Sequence, residues 1–394
     1  MTNHHNQKEE CLIPTYNRIP VEFVRGEGPY LYDGEGRKYM DALAGIAVNV
    51  LGYRHPRLVE TVRNQADKIP HVSNLFQIEA QQKLAQDLSE IGFESSAFFC
   101  NSGAEANEAA LKFARKYSER EGNGGKKIIS FKNSFHGRTM GALAATGQKK
   151  YREGFEPLPD GFEYVEYNNP ELLRENVDDS TCALIMELVQ GEGGVVPAER
   201  DFVQEVKKIC SENDVLIIVD EVQTGMGRTG DFFCYQNYSL QPDLVTLAKG
   251  LGGGYPIGAL LVRRELREGL QAGEHASTFG GNPFVCTMAR QVIASIREEN
   301  LLGNTRARGE QLKRGLAELA EEYEFISRPR GRGLMIGLPV QSHSAGEIMT
   351  SAREEGLILG IAGDSVLRFV PPLILTEENV QEIISRLDRT LQNF

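Results

Sequence analysis

"FVQEVKKICSENDVLIIVD", residues 202–220, changes its period halfway. Phe202, Val203, Val206, Ile209 and Cys210 recur at helical spacing, the mark of a helix with one buried face. From Val215 to Val219 the apolar residues run together without alternation, which predicts a strand covered on both faces. The same exchange recurs upstream. "AFFC" (97–100), "KKIISF" (126–131) and "CALIMEL" (182–188) read as buried strands, and "AEANEAALKFARKYSER" (104–120) as a helix. Strand, helix and strand in succession predict βαβ units, hence an α/β fold with a mostly parallel sheet flanked by helices. After Pro283 helical spacing dominates at 287–300, 309–325 and 377–392, with short strands at 333–340 and 366–370. A smaller α/β unit therefore closes the chain. Near the other end, Asp33-Gly34 and Glu35-Gly36 mark hairpin turns.

Bulk properties exclude several classes. The chain has 394 residues, 41% of them hydrophobic, enough for a large core. A net charge of −12 argues against a general binder of nucleic acid or anionic membrane. No apolar run approaches the length of a membrane span, and "MTNHHNQKEE" has no signal-peptide core. Six scattered cysteines with no C-x-x-C pair fit free thiols in a reducing cytoplasm rather than disulfides or zinc. His4-His5 reads as part of a polar terminus, and no metal is expected.

Three stretches carry chemistry. In "CNSGAEANEAALKFAR" (100–115) a strand passes into a helix. Ser102 and Glu105 have capping-box spacing, and Gly103 lets a ligand approach the backbone. The helix start would suit a phosphate, although an ordinary capped helix has the same signature. "VLIIVDEVQTGMGRTG" (215–230) ends its strand on Asp220 and Glu221, which face either a ligand crevice or a turn. "TLAKGLGGGYPIGALLV" (246–262) places Lys249 between two apolar runs, where a charged side chain is costly. A lysine withdrawn from water has a lowered pKa and attacks carbonyl carbons. Both G-x-x-x-x-G-K-[ST] and G-x-G-x-x-G fail here, the latter because position 257 is Ile257, so the glycines form a turn that presents Lys249. A phosphate seat, a strand-end carboxylate and a desolvated lysine are the parts that pyridoxal 5′-phosphate requires.

At this point a resemblance becomes specific. From about Val24 to the C-terminus the chain resembles the class III (subgroup II) aminotransferases of fold type I, most of all the acetylornithine aminotransferases. The stretches that carry it are "DALAGIAVNVLGYRHP" (41–56), "HVSNLF" (71–76), "FFCNSGAEANEAALKFAR" (98–115), "SFHGRTMGALAATGQ" (134–148), "QGEGGVVPA" (190–198), "DEVQTGMGRTGDFFCYQ" (220–236), "LAKGLGGGYPIGALL" (247–261), "STFGGNP" (277–283) and "LRFVPPL" (367–373).

The resemblance implies a large cofactor domain with a seven-stranded sheet over 56–290. It also implies a small α/β domain over 291–394, which the N-terminal segment 1–55 joins. It implies pyridoxal 5′-phosphate bonded to Lys249, the acid–base of the reaction. Asp220 would meet the ring nitrogen, Gln223 the phenolic oxygen, and Val222 and Phe135 the two ring faces, with Glu221 beside them. On sequence alone Phe135 could equally be core. Ser102, Gly103 and Ala104 would hold the phosphate. Thr278 from a second subunit would complete that site, so the implied assembly is a homodimer with shared active sites. Arg138 and Ser277 would bind the acylated donor. Arg368, paired with Glu192, would be released to bind 2-oxoglutarate, although a solvent-edge arginine would read alike. Ornithine aminotransferases carry a tyrosine-serine pair where this chain has Gly45-Ile46, which favours an acylated donor. Acetylornithine, succinylornithine and related ω-amino donors remain open. A nucleotide-binding module would need the phosphate loop that is absent, and a racemase or decarboxylase would have less use for a Glu192–Arg368 pair.

Overall fold

The computed structural model describes residues 11–394, so His4-His5 lies outside the described residues. Its largest sheet has seven strands. In spatial order they are Ser95–Cys100, Gly258–Arg263, Leu244–Leu247, Leu216–Asp220, Thr181–Met186, Lys127–Phe131 and Phe162–Val165. Gly258–Arg263 runs antiparallel to both neighbours, and every other pairing is parallel. The central strands are buried along their whole length, as their unbroken apolar runs require. Helices Gly103–Arg120 and Arg200–Glu212 cover the faces. The second turns Phe202, Val203, Val206, Ile209 and Cys210 into the core, the stripe its sequence spells.

Two four-stranded sheets lie beyond. Arg330–Arg332, Met335–Pro339, Val366–Phe369 and Gly360–Ala362 form one, in that order and antiparallel throughout. The other is the N-terminal meander Phe23–Glu27, Tyr30–Asp33 and Lys38–Asp41, joined in parallel by Leu357–Ile358. The two chain ends thus share a sheet. From this meander the chain enters Ala44–Ala47, a turn of four successive left-handed residues with φ between 50° and 67°. It packs against Lys249–Leu251. Each non-glycine residue so held costs on the order of 1–2 kcal/mol. Asp41 holds the turn in place by accepting from the Leu43 and Ala44 N–H and from the Tyr53 hydroxyl.

Among the differences from the sequence reading are a helix start and an added edge strand. The helix expected from 309 begins at Leu301, because Gly303 and Gly309 lie within it. Gly309 is there to let the backbone of Gly333 approach, where a Cβ would fall 2.3 Å from the Gly333 oxygen. The edge strand Phe162–Val165 is an addition: only Val165 is fully buried, so its apolar signal is weak. Among the described residues no helix is long and apolar enough to cross a membrane.

Candidate active site

The carboxyl ends of the parallel strands converge on a cavity of about 480 Å³. Asp220 ends its strand, and Glu187, Ser102 and Lys249 follow theirs closely. Phe135, His136 and Arg138 come from the segment after Lys127–Phe131. Because Gly258–Arg263 is reversed, its amino end opens on the same edge, and Gly254–Ile257 close the wall beside Lys249.

Lys249 has φ 41°, a left-handed backbone that only its surroundings can impose on a lysine. Its ammonium is desolvated, which lowers the pKa to about 8 against the partial support of Glu192. Asp220 is buried, and three donors fix its carboxylate. Asn107 Nδ2 and His136 Nδ1 both lie 2.8 Å from Oδ2, and the Val222 N–H reaches Oδ1 at 3.0 Å. Glu187, also on the wall, accepts from the Phe135 N–H at 3.1 Å and the Gly191 N–H at 3.3 Å. Burial and the nearby Asp220 push its carboxyl well above the usual range.

At the start of helix Gly103–Arg120, Ser102 caps the Glu105 N–H at 3.2 Å. The Ser102 carbonyl takes the Ala106 N–H. The Gly103 and Ala104 N–H groups remain at the cavity wall, where the helix dipole favours an anion. The reciprocal half of the capping box is displaced: Glu105 accepts from the Asn101 N–H at 2.6 Å instead of that of Ser102. Gly103 also has a second purpose. A Cβ there would lie 2.7 Å from Val222 Cγ1, so the glycine lets Val222 reach the cavity beside the helix.

Arg368 and Glu192 meet behind the lysine, Nη1 to Oε1 at 2.5 Å. Burial pulls the Glu192 carboxyl upward, but Arg368 and Lys249 outweigh it and the pKa falls below its ordinary value. Gln223 lines the cavity and turns Nε2 towards Glu192 at 3.5 Å, leaving its buried Oε1 without a protein partner. Arg138 stands exposed at the mouth. It lies over the Tyr151 ring at 4.1 Å and has no ion pair among the described residues.

Three expectations are corrected or left incomplete by a single chain. Glu221 does not face the cavity. Its carboxylate accepts from the Thr224 hydroxyl at 2.6 Å and the Tyr235 N–H at 2.9 Å, and burial raises its pKa to about 7. It organises the following loop and leaves the set of cofactor-facing groups. Ser277 and Thr278 line a separate cleft with His71, Asn74 and Phe98. There Ser277 Oγ accepts from Asn101 at 3.2 Å. His136 and Asn107 were not singled out from sequence. A buried asparagine in the middle of a helix, whose amide must find a partner, was the available signal for the second.

An amine, a strand-end carboxylate, an anion seat and the apolar side chains of Phe135 and Val222 around one cavity fit pyridoxal 5′-phosphate in size and chemistry. The comparisons point the same way. The family description Aminotransferase class-III matches residues 13–391. An acetylornithine aminotransferase of Caldanaerobacter subterraneus subsp. tengcongensis is 49% identical over 98% of this chain and 98% of its own. A succinylornithine transaminase of Yersinia pseudotuberculosis is 42% identical over 96% of this chain and 94% of its own. The solved ornithine aminotransferase of Toxoplasma gondii is described with PLP at its active site in partial occupancy. It superposes with a TM-score of 0.95 at 30% identity, covering 98% of this chain and 93% of that one.

Proposed function

The chain belongs to the class-III aminotransferases, and on that premise we propose that it moves the δ-amino group of N2-acetyl-L-ornithine to 2-oxoglutarate, giving N-acetyl-L-glutamate 5-semialdehyde and L-glutamate. Pyridoxal 5′-phosphate is the cofactor. When bound, it supplies an aldehyde that takes up amino groups and a ring that withdraws electrons from the adjacent carbon.

The chain's own groups do the rest. Lys249 would hold the cofactor, and its Nζ would accept and return the substrate proton. A pKa near 8 leaves an appreciable neutral fraction for that task. Asp220, braced by Asn107 and His136, holds the proton of the ring nitrogen. Phe135 and Val222 would bracket the ring, and Gln223 would meet its phenolic oxygen. The Gly103 and Ala104 N–H groups and Ser102 would hold the phosphate, and Thr278 of a second copy would complete that seat. Five buried cysteines remain free thiols, in keeping with a cytoplasmic enzyme.

One observation carries the substrate assignment: of the two arginines expected to bind carboxylates, Arg138 has no ion pair among the described residues and Arg368 is neutralised by Glu192. A donor with a single carboxylate is bound by Arg138 while Arg368 stays masked. 2-Oxoglutarate, with two carboxylates, displaces Glu192 and uses both. An acyl cap on the α-nitrogen removes the charge that would distinguish free ornithine. The test follows the loss of cofactor absorbance in single half-reactions with acetylornithine, succinylornithine, ornithine and 4-aminobutyrate. The acylated donors should react fastest. Preference for free ornithine or 4-aminobutyrate would overturn the assignment, and preference for succinylornithine would move it to that donor.

A further inference from the structure

One rung of the small antiparallel sheet reads Arg330, Gly337, Arg368, Gly360 across four strands. Residues directly opposite share a face, so the two arginines project from the same side, with about 10 Å between their strands. The glycine between them leaves a trough, and the turn Gly191–Val195 lies in it. Val195 packs onto Gly337, where a Cβ would fall 2.8 Å from Val195 Cβ. On one side of the trough Arg368 takes the Glu192 carboxylate. On the other, Arg330 donates both Nε, at 2.9 Å, and Nη2, at 2.8 Å, to the Gly194 carbonyl.

Arg330 has no ion pair among the described residues; the residue is exposed overall, and partial desolvation of its guanidinium lowers its pKa. Its two-pronged grip is spent on a single backbone oxygen. The same turn is tied at two further points: the Gly363 N–H donates to the Glu192 carbonyl at 2.7 Å, and Glu187 accepts from Gly191. The backbone around Glu192 is therefore held at Gly191, Glu192 and Gly194, independently of its side-chain pair with Arg368.

We propose that Arg330 is a positioning residue for substrate choice: by clamping Gly194 it keeps the turn seated, so that Glu192 returns to Arg368 whenever no second carboxylate occupies it. This rests on the reading of Glu192 and Arg368 given above. Without the clamp the turn lifts more readily, Arg368 is unmasked more often, and the dicarboxylate gains over the acylated donor.

The test is a double-mutant cycle on the holoenzyme, read as the ratio of the glutamate to the acetylornithine half-reaction. Glu192→Ala alone should raise that ratio by about ten- to a hundredfold, and Arg330→Met alone by about tenfold. Because Arg330 acts through Glu192, adding Arg330→Met to Glu192→Ala should change nothing further. Glutarate, a dicarboxylate that cannot be transaminated, should bind more tightly to Arg330→Met than to the parent. Arg330→Lys keeps a cation without the two-pronged grip and should give a smaller effect of the same sign, should the methionine variant fail to fold. An unmoved ratio in the Arg330 variants beside a shifted one in Glu192→Ala overturns the clamp alone. So does an Arg330 effect of equal size in both backgrounds, or an equal fall in both half-reactions. If Glu192→Ala itself leaves the ratio unmoved, the substrate switch falls and the clamp with it.

Discussion

Lys249 combines a left-handed backbone with an amine surrounded by protein; the first fixes where its side chain starts, and the second favours the neutral form of the amine. Its pKa of about 8 lies below the ordinary lysine value of 10.5. The folded apo-protein therefore binds fewer protons than the unfolded chain between those two values. Its stability should gain from this group as pH rises through that window. The amine fraction falls about tenfold per pH unit below the pKa. Uptake of pyridoxal 5′-phosphate by apo-protein, followed by absorbance from pH 6 to 10, should accelerate with a midpoint near pH 8 from this group. A midpoint above 10 would mean the lysine is solvated. Both Lys249 and Asp220 were legible in the sequence because each follows an apolar run long enough to locate a strand end. His136 lay within a quoted stretch, but nothing in one chain reveals that its ring meets a carboxylate carried 84 residues further on.

The strand-to-helix passage at Ser102 shows what an element can and cannot announce. Its cap was legible from Ser102 and Glu105. The displacement of the carboxylate to Asn101 was not, because it depends on the angle at which the strand delivers the chain. Nor was the contact between Gly103 and Val222, which joins segments distant in sequence. Gly103→Ala puts a methyl 2.7 Å from Val222 Cγ1, so either the helix start or Val222 must shift. Such overpacking costs about 1–3 kcal/mol. The apo-protein should bind pyridoxal 5′-phosphate roughly ten- to a hundredfold more weakly, measured by fluorescence titration, with a modest fall in Tm. An unchanged Kd beside a lowered Tm would place Val222 away from the ring. The edge strand Phe162–Val165 escaped the sequence reading for a related reason. A strand with one neighbour buries little, and little burial leaves little pattern.

At the scale of the molecule, Thr278 is exposed in a cleft apart from the cavity, and large apolar side chains crowd the same surface. Leu75 is 90% exposed, Phe76 67% and Phe279 59%. A surface of this kind marks a contact between proteins. If a second copy covers it and lends Thr278 to the phosphate, two damaged chains can mend each other. Lys249→Ala and Thr278→Ala, mixed under conditions of proven subunit exchange, should together show more activity than the two alone, since the hybrid retains one intact site. Exchange without recovery would confine each site to a single chain. The reversed strand Gly258–Arg263 bears on how the site comes together. It lets the chain turn back at once instead of crossing a face of the sheet, so Lys249 and the wall Gly254–Ile257 belong to one short connection. Closing a short loop takes little chain entropy, whereas Arg368 must be gathered from the far end of the polypeptide. During synthesis Ser102, Asp220 and Lys249 all leave the ribosome before Arg368. On the proposed reading, the residues of this chain expected to hold the cofactor are thus made before the arginine expected to tell one carboxylate from two.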